Sequence, residues 1–217
     1  MLKNLEPNSK KSTLAILCTD YSICFAHRTN NNRLSDNFLI QKLNNDLCTN
    51  LIVELNNFVS KKNLEKVSRI SVSLGPGNFN ATRMIVVLVR TISQQINCPL
   101  NGFSSFELMA KRIALKNKIF KENQAFWIYK KLKRKGFIAG KYVVNFSDQK
   151  NRNLTIKEKV IPRVFDKLKI KESNFPAIYD DEKDLKELLN LSNTKQITNK
   201  LNSWEKVLPI YPLSPIN

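Results

Sequence analysis

The chain has 217 residues, 42% hydrophobic and 9% aromatic, which is enough to bury one large core or two small ones and too apolar for a disordered chain. The net charge of +18 is uneven, since residues 111–171 hold 19 Lys and Arg against 4 Asp and Glu, and so dense a basic stretch suits a phosphate backbone or an acidic protein face. No apolar run reaches the roughly 18 residues that cross a bilayer, Thr13–Leu17 is too short for a signal peptide, and Cys18, Cys24, Cys48 and Cys98 lack both C-x-x-C spacing and the framework of a secreted mini-protein. A reduced, cytoplasmic protein is expected.

In chain order, Thr13–Leu17 and Tyr21–His27 read as two antiparallel strands joined by a tight turn at Cys18–Asp20. The run Asn30–Asn32 with Arg33 makes a loop before a weaker strand near Phe38–Ile40. Leu43, Leu47, Leu51, Leu55 and Val59 recur at helical spacing and predict a helix over 44–60. From Val67 to Leu74, apolar Ile70, Val72 and Leu74 alternate with Arg69, Ser71 and Ser73, the pattern of a half-buried strand. That strand runs into Gly75-Pro76-Gly77-Asn78-Phe79, a loop in which Gly77 is expected to hold a backbone conformation that a side chain would strain. Asn78 is placed to cap the following helix, 79–96. Met84, Ile85, Leu88, Ile92 and Ile96 line one face of that helix, and Val86, Val87 and Val89 fall off it. A second apolar face predicts a subunit interface.

Ser104 and Glu107 form a capping box for a helix with Phe106, Met109, Ala110 and Ile113 inward. The sequence turns Lys-rich at 111–123, which sets a domain boundary near residue 115: a first lobe over 1–115, and a basic second lobe over 116–217 whose C-terminal tail packs back on the first. Ala125–Tyr129 and Phe137–Phe146 read as strands flanking a turn that holds Lys130, Lys131, Lys133, Arg134 and Lys135. These five are the candidate nucleic-acid contacts, although the run lacks interleaved aromatics and a coding bias toward Lys, Asn and Ile explains it equally well. Asp180–Asp184 supplies a solvated acidic start for a helix through Leu191. The tail from Val207 is punctuated by proline and extended.

Four segments together resemble the TsaB (YeaZ) family: Leu14-Ala-Ile-Leu-Cys-Thr19, Gly75-Pro-Gly-Asn-Phe-Asn-Ala-Thr-Arg83, Ser104-Ser-Phe-Glu-Leu-Met-Ala110 and Pro209-Ile-Tyr211. The resemblance is good over residues 13–115, partial in the last ten and poor between. It implies an α/β fold of the actin-like/Hsp70-like ATPase class, related to ribonuclease H, in two lobes with the second degenerate. It also implies a scaffold subunit, related to the glycoprotease-like peptidase M22 proteins, that pairs with the catalytic paralogue TsaD and the ATPase TsaE. That complex transfers a threonylcarbamoyl group to adenosine 37 of tRNA. First-lobe helices make the family's partner contacts, here Phe79, Arg83, Val86, Val87, Val89 and Arg90, and the same surface forms a homodimer when the subunit is alone.

The departures from the family pattern bear on catalysis. Leu17 stands where the family carries an Asp that organises magnesium around phosphates in actin-like enzymes. Asp-Ala-Arg at the start of the second lobe becomes Tyr129-Lys-Lys131, and the Gly-Leu that ends the glycine loop becomes Ala81-Thr82. Gly75 and Gly77 are then the remnant of a phosphate loop. The single histidine, His27, cannot supply the paired ligands of a metal site and reads as an ordinary surface or strand-end residue. No catalytic residue, metal or cofactor is expected, and ATP only at a joint interface with a partner. The alternatives are an active actin-like ATPase, sugar kinase or glycoprotease-type enzyme, or a stand-alone RNA-binding protein.

Overall fold

The structure is a computed structural model that describes residues 12–29, 36–43, 45–132, 136–146, 153–167, 172–194 and 203–211. The Asn30–Arg33 loop, Lys133–Lys135 and the tail beyond Tyr211 lie outside the described residues. Strands β1 (Ser12–Cys18) and β2 (Ser22–Thr29) form the expected hairpin. Its turn is closed by the Thr19 N–H donating to Ser22 O at 2.9 Å, and Thr19 Oγ1 accepts from the Ser22 N–H at 3.1 Å. β3 (Asn37–Lys42) adds antiparallel to β2, and α1 (Asn45–Phe58) and the short α2 (Lys61–Leu64) follow. β4 (Val67–Ser73) then lies parallel to β1, and β5 (Leu100–Phe103) parallel to β4, with α3 (Phe79–Gln95) between them. The resulting order β3-β2-β1-β4-β5 is the ribonuclease H-like arrangement. A second sheet of order β8-β7-β6-β9 contains β6 (Ala125–Lys131), β7 (Phe137–Phe146), β8 (Leu154–Phe165) and β9 (Ser173–Pro176).

Three apolar clusters hold this frame. Leu51 and Leu55 of α1, with Ile85, Val86 and Val89 of α3, pack on one face of the first sheet. The opposite face carries Ala15, Leu17, Cys24 and Ala26 under Leu185, Leu188 and Leu189 of α5 (Asp181–Thr194). The third cluster sets Phe106, Met109 and Ile113 of α4 (Ser105–Lys116) against Phe126, Ile128, Ile138 and Tyr142 of the second sheet. α4 therefore ties the lobes together, with Leu108 facing the first and Phe106 the second. The chain does not stay in the second lobe after residue 116, because α5 returns to β1, β2 and β4. The C-terminal segment returns too: Val207 enters the first cluster, and the Ile210 N–H donates to Leu74 O at 2.8 Å.

The return of α5 corrects the half-buried reading of β4, since Ser71 and Ser73 are fully buried. Small hydroxyls suit a close helix–sheet contact when each finds a partner. The Ser71 and Ser192 hydroxyls lie 2.6 Å apart, and Ser73 Oγ accepts from the Cys18 N–H at 2.7 Å. His27 is also buried, and burial pulls its imidazole below the ordinary range; Nε2 has no hydrogen-bond partner among the described residues. It is not a surface residue, because its side of β2 faces the α1 layer with Ile23 and Phe25.

Candidate functional site

The glycine loop sits where the lobes meet. Gly75 takes φ +91°, a left-handed conformation open to glycine at little cost. Gly77 is constrained differently from expectation. Its backbone is unstrained, but a Cβ there would lie 2.9 Å from Cys18 O, so the requirement is close approach to the β1–β2 turn. Asn78 caps α3 as predicted, accepting from the Ala81 N–H at 3.1 Å, and its own N–H donates to Thr19 O at 3.1 Å.

Two carbonyls of the loop are engaged inside the protein. The Ser105 N–H donates to Gly75 O at 2.8 Å, and the Tyr179 hydroxyl donates to Pro76 O at 2.8 Å. Burial, with Asp20 and Asp184 nearby, holds the Tyr179 phenol well above its usual range, so it remains a donor. Lys130 pairs with Asp20 and lies 5.5 Å from the centre of the Tyr179 ring. Thus one of the five predicted nucleic-acid cations is committed to the lobe interface. Lys131, next in β6, points the opposite way and is exposed; Lys133, Arg134 and Lys135 lie outside the described residues.

Leu17 is buried in the apolar layer beneath α5, with no polar group of its own to offer a phosphate or a metal. Beside it, burial and the nearby Asp181 and Asp184 raise the Cys24 thiol, which keeps it protonated. The acidic start of α5 is not wholly solvated, as sequence suggested. Asp184 is buried and bonded to Arg112 at 2.7 Å, and the same guanidinium donates to Ile178 O at 2.7 Å. Burial raises the Asp184 carboxyl, and Arg112 opposes the rise. Where α4 meets the second sheet, Ser104 Oγ accepts from the Glu107 N–H at 3.0 Å and lies 2.5 Å from Glu158 Oε1, which also accepts from Tyr142 at 3.0 Å. Both hydroxyls are satisfied by one carboxylate, an arrangement that fixes α4 on β8. No group of three or more potential metal-ligating side chains occurs among the described residues.

The predicted partner-binding residues separate into two sets. Val86 and Val89 are fully buried against the first sheet and leave the candidate surface. The opposite face of α3 exposes Phe79 at 38%, Met84 at 40% and Val87 at 62%. Arg83 lies over Phe79 at 5.3 Å, and Tyr211 packs on the same ring at 5.6 Å; Arg90 lies over Trp204 at 5.8 Å. α1 likewise exposes Ile52 and Val53, outside the residues singled out from sequence.

A two-lobed α/β protein with a ribonuclease H-like first sheet is thereby defined. It is similar over nearly its whole length to two structures from Pseudomonas aeruginosa. One is an uncharacterized protein with similarity to peptidase YEAZ, with TM-score 0.67 at 12% identity, covering 94% of this chain and all of that one. The other is YeaZ, with TM-score 0.61 at 16% identity, covering 93% and 99%. The chain has the YeaZ fold. No family profile and no curated protein matches the sequence. No described helix is long and apolar enough to cross a membrane.

Proposed function

We propose that this chain is a TsaB-type subunit, a non-catalytic scaffold of the cytoplasmic complex that forms threonylcarbamoyladenosine at position 37 of tRNA. It docks a TsaD-like catalytic paralogue, works with a TsaE-like ATPase, and forms a homodimer when alone. The observation that carries this reading is the exposed apolar stripe Phe79, Met84 and Val87 on α3, on a helix whose other face already fills the core. Exposed apolar area of this kind marks a partner surface, and its burial gains roughly 25 cal/mol per Å² before the entropy of association is subtracted. Ile52 and Val53 of α1, on the same side of the first sheet, extend the surface. A two-fold dimer needs only one such self-complementary patch.

The reading of this chain as non-catalytic is supported by Leu17 in an apolar layer. Any ATP belongs at the joint interface, and the basic second lobe contributes a contact to RNA. The test is capture on a tagged TsaD-like paralogue. Wild type should be retained, whereas Met84→Glu with Val87→Glu should stay folded by circular dichroism and be lost. Retention of that variant at the wild-type level overturns the docking surface. Magnesium-dependent ATP turnover by the purified chain, lost on Gly75→Val, overturns the non-catalytic role.

A further inference from the structure

Alternation in the second sheet sends two different sets of side chains to its two faces. Phe126, Ile128, Ile138 and Tyr142 point at α4. The residues between them face the other way, and the register brings them into rows. Lys131 stands opposite Phe137, and Phe137 opposite Phe165; Tyr129 stands opposite Ala139, and Ala139 opposite Arg163; Trp127 stands opposite Lys141. Successive rows lie about 6.8 Å apart along the strands. Four aromatic rings thus share one face with basic groups from three strands, and Lys157, opposite Val143, extends the basic margin.

The rings are held rigidly. Trp127 and Phe165 meet edge to face at 5.6 Å and 89°, and Tyr129 and Phe137 at 5.9 Å and 79°. Each such contact occupies a single ring face; Lys141 lies over Trp127 at 5.9 Å and Arg163 over Phe165 at 5.1 Å, cation positions that a stacking base would take over. All four rings are only half-buried, and Lys131, Lys157 and Arg163 are exposed. Glu172 is the acid against this face, and it is already engaged, accepting from Trp127 Nε1 at 2.5 Å and from Lys141 at 2.6 Å. Its carboxyl is held below the usual range, first by the Lys141 hydrogen bond. Lys131 and Lys157, exposed on this face, carry positive charge in the most basic part of the chain.

We propose that this outer face is a stacking platform for unpaired nucleotides of an RNA: bases lie on Trp127, Tyr129, Phe137 and Phe165, and phosphates run past Lys131, Lys157 and Arg163. Aromatic faces among exposed cations suit single strands, because every base has a π-face that a duplex hides. An acidic protein partner would use the cations but has no use for four clustered rings. The platform deepens the RNA contact proposed for the second lobe and rests on it.

The test uses the full chain with a fluorescein-labelled 12-nucleotide oligouridylate, read by anisotropy over a series of salt concentrations, against an RNA duplex of equal length. Tyr129→Leu with Phe165→Leu keeps apolar bulk and removes two stacking rings. It should weaken single-strand binding at least tenfold while leaving the salt slope unchanged. Lys131→Gln, Lys157→Gln and Arg163→Gln together should lower the slope by about two units. A second readout is independent of those variants folding. In a Trp204→Phe background, Trp127 is the remaining tryptophan, and the oligonucleotide should quench it. Duplex binding as tight as single-strand binding, an unchanged affinity in the leucine variant, or bound oligonucleotide without quenching overturns the platform. Where only the charge variants lose affinity, the RNA contact of the lobe stands and the platform falls. Where the wild type binds no RNA, both fall.

Discussion

Adjacent valines on α3 give the sharpest test of how the first lobe is built. Val86 is fully buried among α3, β1 and β4, and Val87, one residue on, is 62% exposed. Val86→Glu loses the burial of a Val side chain, about 1.5–3 kcal/mol. It also places a carboxyl where the charged form is disfavoured by several pKa units, each worth about 1.4 kcal/mol. The sum, above roughly 5 kcal/mol, rivals the whole stability of a typical domain. With both compared as monomers at low protein concentration, Val87→Glu adds a charge to a solvated face and should stay within about 0.5 kcal/mol of wild type. For a chain of this size 1 kcal/mol moves the Tm by about 2–4 °C. Thermal unfolding by circular dichroism should therefore show Val87→Glu within about 2 °C of wild type, and Val86→Glu at least 10 °C lower or unfolded at room temperature. Size-exclusion chromatography should then show Val87→Glu as a folded monomer. A Val86→Glu protein that melts like wild type would mean that this face of α3 is not core, and the packing described for the first sheet would be wrong.

The two loop glycines should fail for different reasons. Gly77→Ala drives a Cβ into Cys18 O and strains the Asn78–Thr19 hydrogen bond, for an expected loss of about 1–3 kcal/mol. Gly75→Ala meets nothing closer than 3.5 Å and should lose about 1–2 kcal/mol through its left-handed φ alone. Gly75→Asn, which tolerates that region better, should recover part of the loss, whereas Gly77→Asn should recover none; equal urea midpoints for all four variants would refute the distinction. His27 gives a pH signature, since its folded-state pKa is lowered by burial. The unfolded chain binds the proton first, so stability is full above about pH 6.5 and falls as pH drops through that value toward the lowered folded pKa. As the chain's single histidine, it makes the effect assignable. His27→Leu should flatten urea midpoints between pH 7 and 5.5, and an unchanged slope in that variant would refute the buried neutral imidazole.

Much of the first lobe was legible because its signals are local. The β1–β2 hairpin, the strand before Gly75, and the Asn78 and Ser104 caps each rest on residues within four positions of one another. The errors came from contacts that close over long separations. Ser71 and Ser73 read as a wet face because α5, which covers them, arrives more than a hundred residues later. The second apolar face of α3 is formed by Phe79, Met84 and Val87 and not by Val86 and Val89, because small residues decide which side meets the sheet. The buried stripe is Ala81, Thr82, Ile85, Val86, Val89 and Ser93, in which small side chains mark the closest approach to the sheet. β8 escaped notice because Glu158, which serves Ser104 and Tyr142, interrupts its apolar alternation, and two register shifts break the period. β5 spans only four residues and contains Gly102, too little pattern to read.

The second lobe shows why a charge run is a poor unit for locating a binding face. Lys130 and Lys131 are neighbours in sequence and opposites in space. One is drawn to Asp20 and Tyr179 at the lobe interface, and the other is exposed on the outer face of the sheet. Strand parity sets this division, since a one-residue step reverses the face. The same parity explains why Lys130–Lys135 looked empty of aromatics. Trp127 and Tyr129 precede the run at the spacing of one face, and their partners Phe137 and Phe165 join them only through the β6–β7 and β7–β8 register. Composition shows that the middle of the chain is basic. Pairing across strands decides which of those charges share a surface with rings, and hence where a single strand of RNA would lie.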